Sequence, residues 1–208
     1  MNDAPHLCIS VVGAGPVGLA LALDAAQRLP HADITVFDAR PLDKDVAADP
    51  RTLALSLGSV QWLQRLGAWN AARAQPITEV HVSQQPPGFG AALARGWREP
   101  AVRLSAVDEA VPMLGAVQTY GAIVAPLQQA WLERERREPG RLHSRFGQPV
   151  AALKNLIGPG RPVVELDAGI AEPYDLAVVA EGGVFADQAR KAIVHDYGQT
   201  AWVGTVTL

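Results

Sequence analysis

Cysteine is nearly absent from this chain: Cys8 stands alone among 208 residues. A lone cysteine excludes an intramolecular disulfide and any zinc site built from several thiolates. It falls in an apolar run with Leu7, Ile9, Val11 and Val12, where a small buried core residue is expected rather than a reactive thiol. An excess of one charge is missing too. Lys and Arg number 18 against 21 Asp and Glu, a net charge of -3, and no basic tract offers the footprint of a nucleic-acid partner. The segment Arg134-Glu135-Arg136-Arg137-Glu138 mixes both signs and reads as a solvated helix end. No stretch approaches the roughly 20 apolar residues of a membrane span. The start, MNDAPH, lacks the basic residues and apolar segment of a secretory signal. A cytoplasmic protein is expected, with attachment at the surface of the inner membrane left open. The five histidines, His6, His31, His81, His143 and His195, show no metal-ligand spacing, so no metal is expected.

What is present is an ordinary globular balance, 49% apolar and 19% charged, with a length that fits one domain or one and part of a second. Leu7 to Val12 is apolar apart from Ser10 and bounded by Gly13, as a strand buried on both faces of a parallel sheet would be. Val17 to Arg28 follows as a helix of small and apolar residues, and Asp33 to Asp38 as the next strand. Together they are the size of one βαβ unit. Asp43 to Pro50 reads as a loop. A helix is expected from Ser56 to Leu66, with Val60, Leu63 and Leu66 on one face and Gly67 as its stop; Ser56 and Ser59 read as helix-start residues. Thr78 to Ser83 alternates as a half-exposed strand, with His81 on its surface. Gln84 to Pro112 has no clear period and is expected to be hairpin-rich. Ile123, Val124, Leu127, Ala130 and Trp131 recur at helical spacing over Ala122 to Arg137. Strands are expected near Pro149–Leu153, Val163–Asp167 and Leu176–Ala180, the last returning to the first sheet, and another begins at Thr200. Trp62, Trp69, Trp97, Trp131 and Trp202 are read as core or interface packing.

Gly13-Ala14-Gly15-Pro16-Val17-Gly18 matches the G-x-G-x-x-G fingerprint. Gly13 permits the tight turn out of the strand, Gly15 lets backbone approach a pyrophosphate, and Gly18 allows close helix packing on the sheet. Unpaired N–H groups and the dipole at the helix start then bind the phosphates, while Pro16 has no N–H to lose at the first turn. Asp38 ends the next strand, where a carboxylate accepts hydrogen bonds from an adenosine ribose and disfavours a 2′-phosphate. This context points to a dinucleotide without choosing NAD over FAD.

Several longer segments carry a resemblance. Asp49-Pro50-Arg51-Thr52-Leu53-Ala54-Leu55-Ser56-Leu57-Gly58-Ser59-Val60, running into Leu63 to Trp69, resembles the segment after the second strand in flavin-dependent aromatic hydroxylases. Pro76-Ile77, His81 to Ser83, Leu114 to Val117, Tyr174 to Gly183 and His195 to Ala201 agree in order, and the last is particularly similar to the ubiquinone-biosynthesis branch. The resemblance implies an α/β fold: a Rossmann-like FAD-binding domain of glutathione-reductase type, over 1–76 and 118–195. With it comes part of an interleaved β-rich substrate domain, over 77–117 and 196–208. It implies FAD as cofactor and NADH or NADPH as electron donor. It places Arg51 on the flavin side, Asp38 with Ala39 and Arg40 at the adenosine ribose, and Glu181 and Gly182 near the pyrophosphate. Gln118 and Gln128, flanking the start of the long helix, are candidates for cofactor contact, with a plain helix-surface role as the equal alternative.

The implied reaction is hydroxylation of the aromatic ring of a polyprenylated phenol, a lipid-like substrate, in ubiquinone biosynthesis. Partnership with a biosynthetic complex or a second copy is left open. This chain departs from the pattern in two ways. Glu181-Gly182 stands where the family has Asp-Gly, and Gly183-Val184-Phe185 replaces an Arg-Ser continuation. A later Gly-Asp motif that holds the flavin's ribityl chain has no counterpart, so an N-terminal fragment, inactive alone, is expected. The alternatives are a non-catalytic dinucleotide-binding module and an FAD or NAD oxidoreductase acting on a non-quinone substrate.

Overall fold

The computed structural model describes residues 6–83, 101–158, 161–169 and 171–181, together with 198 and 200. It opens with β1 (Leu7–Val12), α1 (Pro16–Arg28) and β2 (Ala32–Asp38), the βαβ unit the sequence predicts, with element ends agreeing closely. There follow β3 (Thr52–Ser56), α2 (Leu57–Arg65), β4 (Gln75–Ile77), β5 (Glu79–Ser83), β6 (Ala101–Ser105) and β7 (Gly115–Thr119). The long helix α3 (Tyr120–Arg137) leads to β8 (Leu142–Phe146), β9 (Ala152–Gly158), β10 (Arg161–Asp167), β11 (Ala171–Tyr174) and β12 (Leu176–Val179).

The principal sheet has four strands in the order β12-β1-β2-β8, and every pairing in it is parallel. Strand alternation divides its side chains between two cores. Val11, Ile34 and Val36 face α1 and α3, packing with Leu19, Leu23, Leu127 and Trp131. Val12 and Phe37 face the other way, onto Val150, Leu166 and Tyr174 from the region of the antiparallel sheet β11-β10-β9. Both faces are covered, which is why β1 is apolar on both sides apart from Ser10 and why Ser10 and Thr35 are buried polar residues. The expected return of the chain to the first sheet is made by β12, which pairs with β1 in the register Ile9 to Leu176 through Val12 to Val179. Ser56 caps α2 by accepting from the Ser59 amide, and Val60, Leu63 and Leu66 are buried as the periodicity predicts.

Other expectations need correction. Gly115–Thr119 is the central strand of a second sheet, β3-β7-β4, so Gln118 lies on a strand and not on a helix surface. The strand expected at Pro149–Leu153 starts only at Ala152, and Val150 ahead of it is buried in the second core. Cys8 is half-buried rather than core. Arg134 and Glu138 do not form a freely solvated helix end. Arg134 donates to the Ala26 carbonyl in the last turn of α1 and pairs with Glu138 at 3.0 Å. Within Gln84–Pro112, β6 pairs antiparallel with β5, while 84–100 lie outside the described residues, as does the strand expected over 201–208. Trp97 and Trp202 fall there as well. Among the described residues, no helix is long and apolar enough to cross a membrane.

Candidate functional site

The candidate site is assembled at the carboxyl end of β1. Gly13 takes φ +106°, and a Cβ there would lie 2.8 Å from the Ala180 carbonyl carbon at the end of β12. Glycine is therefore required twice, by conformation and by contact. Gly18 is tighter still, since a Cβ would meet the Gly13 oxygen at 1.9 Å; the helix rests directly on the turn. α1 starts at Pro16 with Gly15 as an extended N-cap and no side-chain cap. Its first intrahelical bond runs from the Leu19 amide to the Gly15 oxygen at 3.0 Å, leaving the amides of Val17 and Gly18 ahead of it. Such a helix end presents N–H groups and a positive dipole to an anion.

Asp38 stands across the turn. Its carboxylate accepts the Ala14 amide at 2.5 Å and the Arg40 amide at 2.7 Å, and Arg40 Nη2 donates to the Ala14 oxygen at 3.1 Å. The acidic side chain thus organises the glycine turn while it lines the cleft beside it. That cleft, about 630 Å³, is walled by Gly13, Gly15, Pro16 and Val17, with Asp38, Ala39, Arg51, Leu53, Tyr120, Ala180 and Glu181. A second hollow of about 390 Å³ adjoins it, sharing Asp38, Arg51 and Tyr120 and adding Arg40, Lys44, Asp45 and Asp49.

Arg51 is set by two neighbours. Asp49 binds it twice, Nε to Oδ1 at 3.0 Å and Nη2 to Oδ2 at 2.7 Å, and its guanidinium carbon lies 4.4 Å from the centre of the Tyr120 ring. The side-chain hydrogen bond holds the Asp49 carboxyl below its ordinary range and raises the Arg51 guanidinium. Backbone bonds fix the same pieces: the Tyr120 amide donates to the Arg51 oxygen and the Gly121 amide to the Asp49 oxygen. The loop is thereby sewn to the first turn of α3, where a Cβ on Gly121 would strike the Ala47 oxygen at 2.3 Å. Tyr120 Oη would lie 3.3 Å from a Cβ on Gly15, so the ring bridges the arginine and the glycine turn.

Partial desolvation, and then the negative charge of Asp38, push the Glu181 carboxyl above its ordinary range although the residue as a whole is exposed. The folded chain favours the protonated form. Glu181 therefore contributes stability that is complete below its unfolded pKa and is lost as pH rises through the folded one. Glu181→Gln is expected to raise the urea midpoint only slightly over wild type at about pH 8, since solvent screens this exposed position, and to match it near pH 3, where both side chains are neutral. Equal midpoints at the higher pH would contradict this.

The structure brings Gly13, Gly15, Pro16, Val17, Asp38, Ala39, Arg51 and Glu181 to one cleft and puts Arg40 in the adjoining hollow. Gly18 lies beneath the turn, and Gly182 lies outside the described residues. Gln118 lines neither cleft. It is 2% exposed, donates to the Asn70 oxygen at 2.9 Å, and leaves its Oε1 buried without a partner. Its register partner Leu53 does line the cleft. Gln128, on α3, also has a buried, unpartnered Oε1. Leu53, Tyr120 and Ala180 are the lining residues of this cleft that sequence reasoning missed. A tyrosine at the start of an amphipathic helix was the available signal. Away from the cleft, the pairing of β1 with β2 gathers His6, Cys8 and Asp33, whose ligand atoms lie within 4.8 Å of one another.

No protein-family model matches the chain, and no curated protein matches it. Solved structures do. p-Nitrophenol 4-monooxygenase PnpA from Pseudomonas putida DLL-E4 aligns over 85% of this chain and 41% of its own, at TM-score 0.56 and 16% identity. The tetracycline destructase Tet(55) aligns over 93% and 42%, at 0.52 and 15%. 2-Methyl-3-hydroxypyridine-5-carboxylic acid oxygenase aligns over 83% and 39%, at 0.51 and 15%. The chain spans about two fifths of the length of these structures, and what it shares with them is the fold, a mixed α/β architecture around a parallel sheet.

Proposed function

We propose that this chain binds FAD through the cleft at Gly13, Gly15 and Gly18 and forms the cofactor-binding part of a flavin-dependent aromatic hydroxylase. The observation that carries the reading is the meeting of an uncapped helix N-terminus, a carboxylate at Asp38 and a held arginine at Arg51 around one cleft. Its residues suit the group. The glycines leave room for a pyrophosphate against backbone, and the helix end supplies N–H donors. Asp38 is sited for a ribose. A buried amide oxygen on Gln118, one strand behind the cleft wall, still wants a donor, which an ordered water would supply.

When bound, FAD would accept hydride from a reduced nicotinamide and activate O₂ for insertion into an electron-rich ring. The chain's own residues have simpler work. The α1 amides and Arg51 hold phosphate or flavin charge, Asp38 orients the ribose, and Leu53 with Tyr120 excludes water from one side. Oxygenase neighbours in the fold support the reaction type. The segment His195 to Ala201 supports the narrower reading, a polyprenylated phenol of ubiquinone biosynthesis as substrate. The same reading puts 1–76 and 118–195 in the cofactor domain and 77–117 and 196–208 in the substrate domain.

Titration of the purified chain with FAD, followed by flavin fluorescence and visible absorption, tests this directly. Saturable binding is expected, weakened about tenfold or more by Gly15→Val, which fills the cradle, and by Arg51→Ala, which removes a charge-assisted donor. NAD is expected to bind far more weakly. A chain that takes up neither dinucleotide sinks the proposal. NAD(P)H oxidation in the presence of a prenylated phenol is not expected of this cofactor-binding part by itself, so the binding titration is the measurement that decides.

A further inference from the structure

We infer that His6, Cys8 and Asp33 form a binding site for one zinc-class divalent cation at the amino-terminal end of the parallel sheet. His6 and Cys8 are two residues apart, so the period of an extended chain puts them on one face. Cys8 is the direct register partner of Asp33 on β2, which brings the carboxylate to that same face. His6 Nε2 and Asp33 Oδ2 already lie 2.8 Å apart, and all three candidate ligand atoms fall within 4.8 Å of one another. A single ion at about 2.0–2.3 Å from each donor spans such a cluster after small rotations.

The donor set selects the metal. Imidazole nitrogen and thiolate sulfur favour zinc and its borderline neighbours, whereas magnesium and calcium take oxygen ligands. Three protein ligands leave a fourth tetrahedral position for water. Access is open, since the His6 side chain is 60% exposed and that of Asp33 33%. Binding would replace the His6–Asp33 hydrogen bond and take Cys8 as its thiolate, releasing one proton to solvent. The ion would then tie the entry of β1 to β2. Five residues of strand, about 16 Å, separate Cys8 from Gly13, so the site is distinct from the dinucleotide cleft and does not depend on it.

Because Cys8 is the sole cysteine of the chain, a thiolate-to-cobalt charge-transfer band can come from nowhere else in it. The untagged chain is titrated with Co²⁺ under reducing, metal-free conditions. One equivalent is expected to produce that near-ultraviolet band together with tetrahedral d–d absorption, and Zn²⁺ is expected to discharge both. Cys8→Ser should abolish the charge-transfer band. His6→Ala and Asp33→Asn, at positions open to solvent, should each weaken Co²⁺ binding about tenfold or more while the circular dichroism stays native. Absence of the band in wild type overturns the proposal. So does a band that His6→Ala and Asp33→Asn both leave at wild-type affinity, since the ion would then sit elsewhere on the thiolate.

Discussion

Gly18→Ala is expected to destabilise the chain by about 3 kcal/mol, the upper end of the range for overpacking. The added methyl would lie 1.9 Å from the Gly13 oxygen and 3.3 Å from Val11 Cγ1. The first of these is backbone and cannot rotate aside. Relief would require α1 to lift from the sheet, exposing Leu19 and Leu23, both buried in the core it shares with α3. The glycine turn would move with it, and the Ala14 amide would no longer meet the Asp38 carboxylate. Two losses are therefore expected together: a lower urea midpoint by circular dichroism, and weaker FAD uptake at denaturant-free conditions. Gly58→Ala serves as the comparison. It lies in α2 with open space around its Cα, so alanine there should be neutral or stabilise by up to about 1 kcal/mol. Matching behaviour of the two variants would show that helix propensity, not the contact with Gly13, governs both.

The sequence announces this glycine because its constraint is local. The turn, the helix and the strand ending at Asp38 are joined by short connections, and both β1 and β2 are buried on two faces, so both are rich in apolar residues, with Ser10 and Thr35 the polar residues buried among them. Helix α3 is legible for the same reason, its period being continuous over its whole length. Elements whose cause is distant are not. β3 and β7 are five-residue strands that exist because they pair with each other, and Thr52 to Ser56 alternates too briefly to stand out from the motif containing it. β8 reads Leu-His-Ser-Arg-Phe, too polar for a buried strand, since it forms an edge of the parallel sheet. The site divides likewise. The glycines and Asp38 lie on one supersecondary unit, and Arg51 on a motif with its own signature. Tyr120 enters through tertiary packing, by lying under the Arg51 guanidinium. The cluster of His6, Cys8 and Asp33 depends on strand register across 25 or so residues, which no ligand spacing along the chain encodes.

Trp131→Ala should cost still more, about 3–5 kcal/mol, the range for truncating a fully buried aromatic residue. Trp131 is 0% exposed and sits where α3 meets the principal sheet. Its indole Nε1 donates to Ser144 Oγ at 2.9 Å, and that hydroxyl donates on to Glu135 at 2.7 Å. Alanine would leave a large void and break a partly buried chain of hydrogen bonds that joins α3 to β8. The damage should reach the cleft, because β8 is the strand that supports the backbone around Asp38. Phe146 pairs with Asp38 in the β2–β8 register, the Gln148 amide donates to the Asp38 oxygen at 3.1 Å, and the Gly147 amide donates to the Arg40 oxygen at 3.0 Å. Trp131→Phe separates the two contributions. It retains most of the packing and loses the indole donor, with an expected cost nearer 1–2 kcal/mol from one hydrogen bond and a small void. Equilibrium unfolding in urea, read by circular dichroism, measures both. If the phenylalanine variant is as damaged as the alanine variant, the hydrogen-bond chain rather than the volume of the indole fixes β8, and Ser144→Ala should then reproduce the loss.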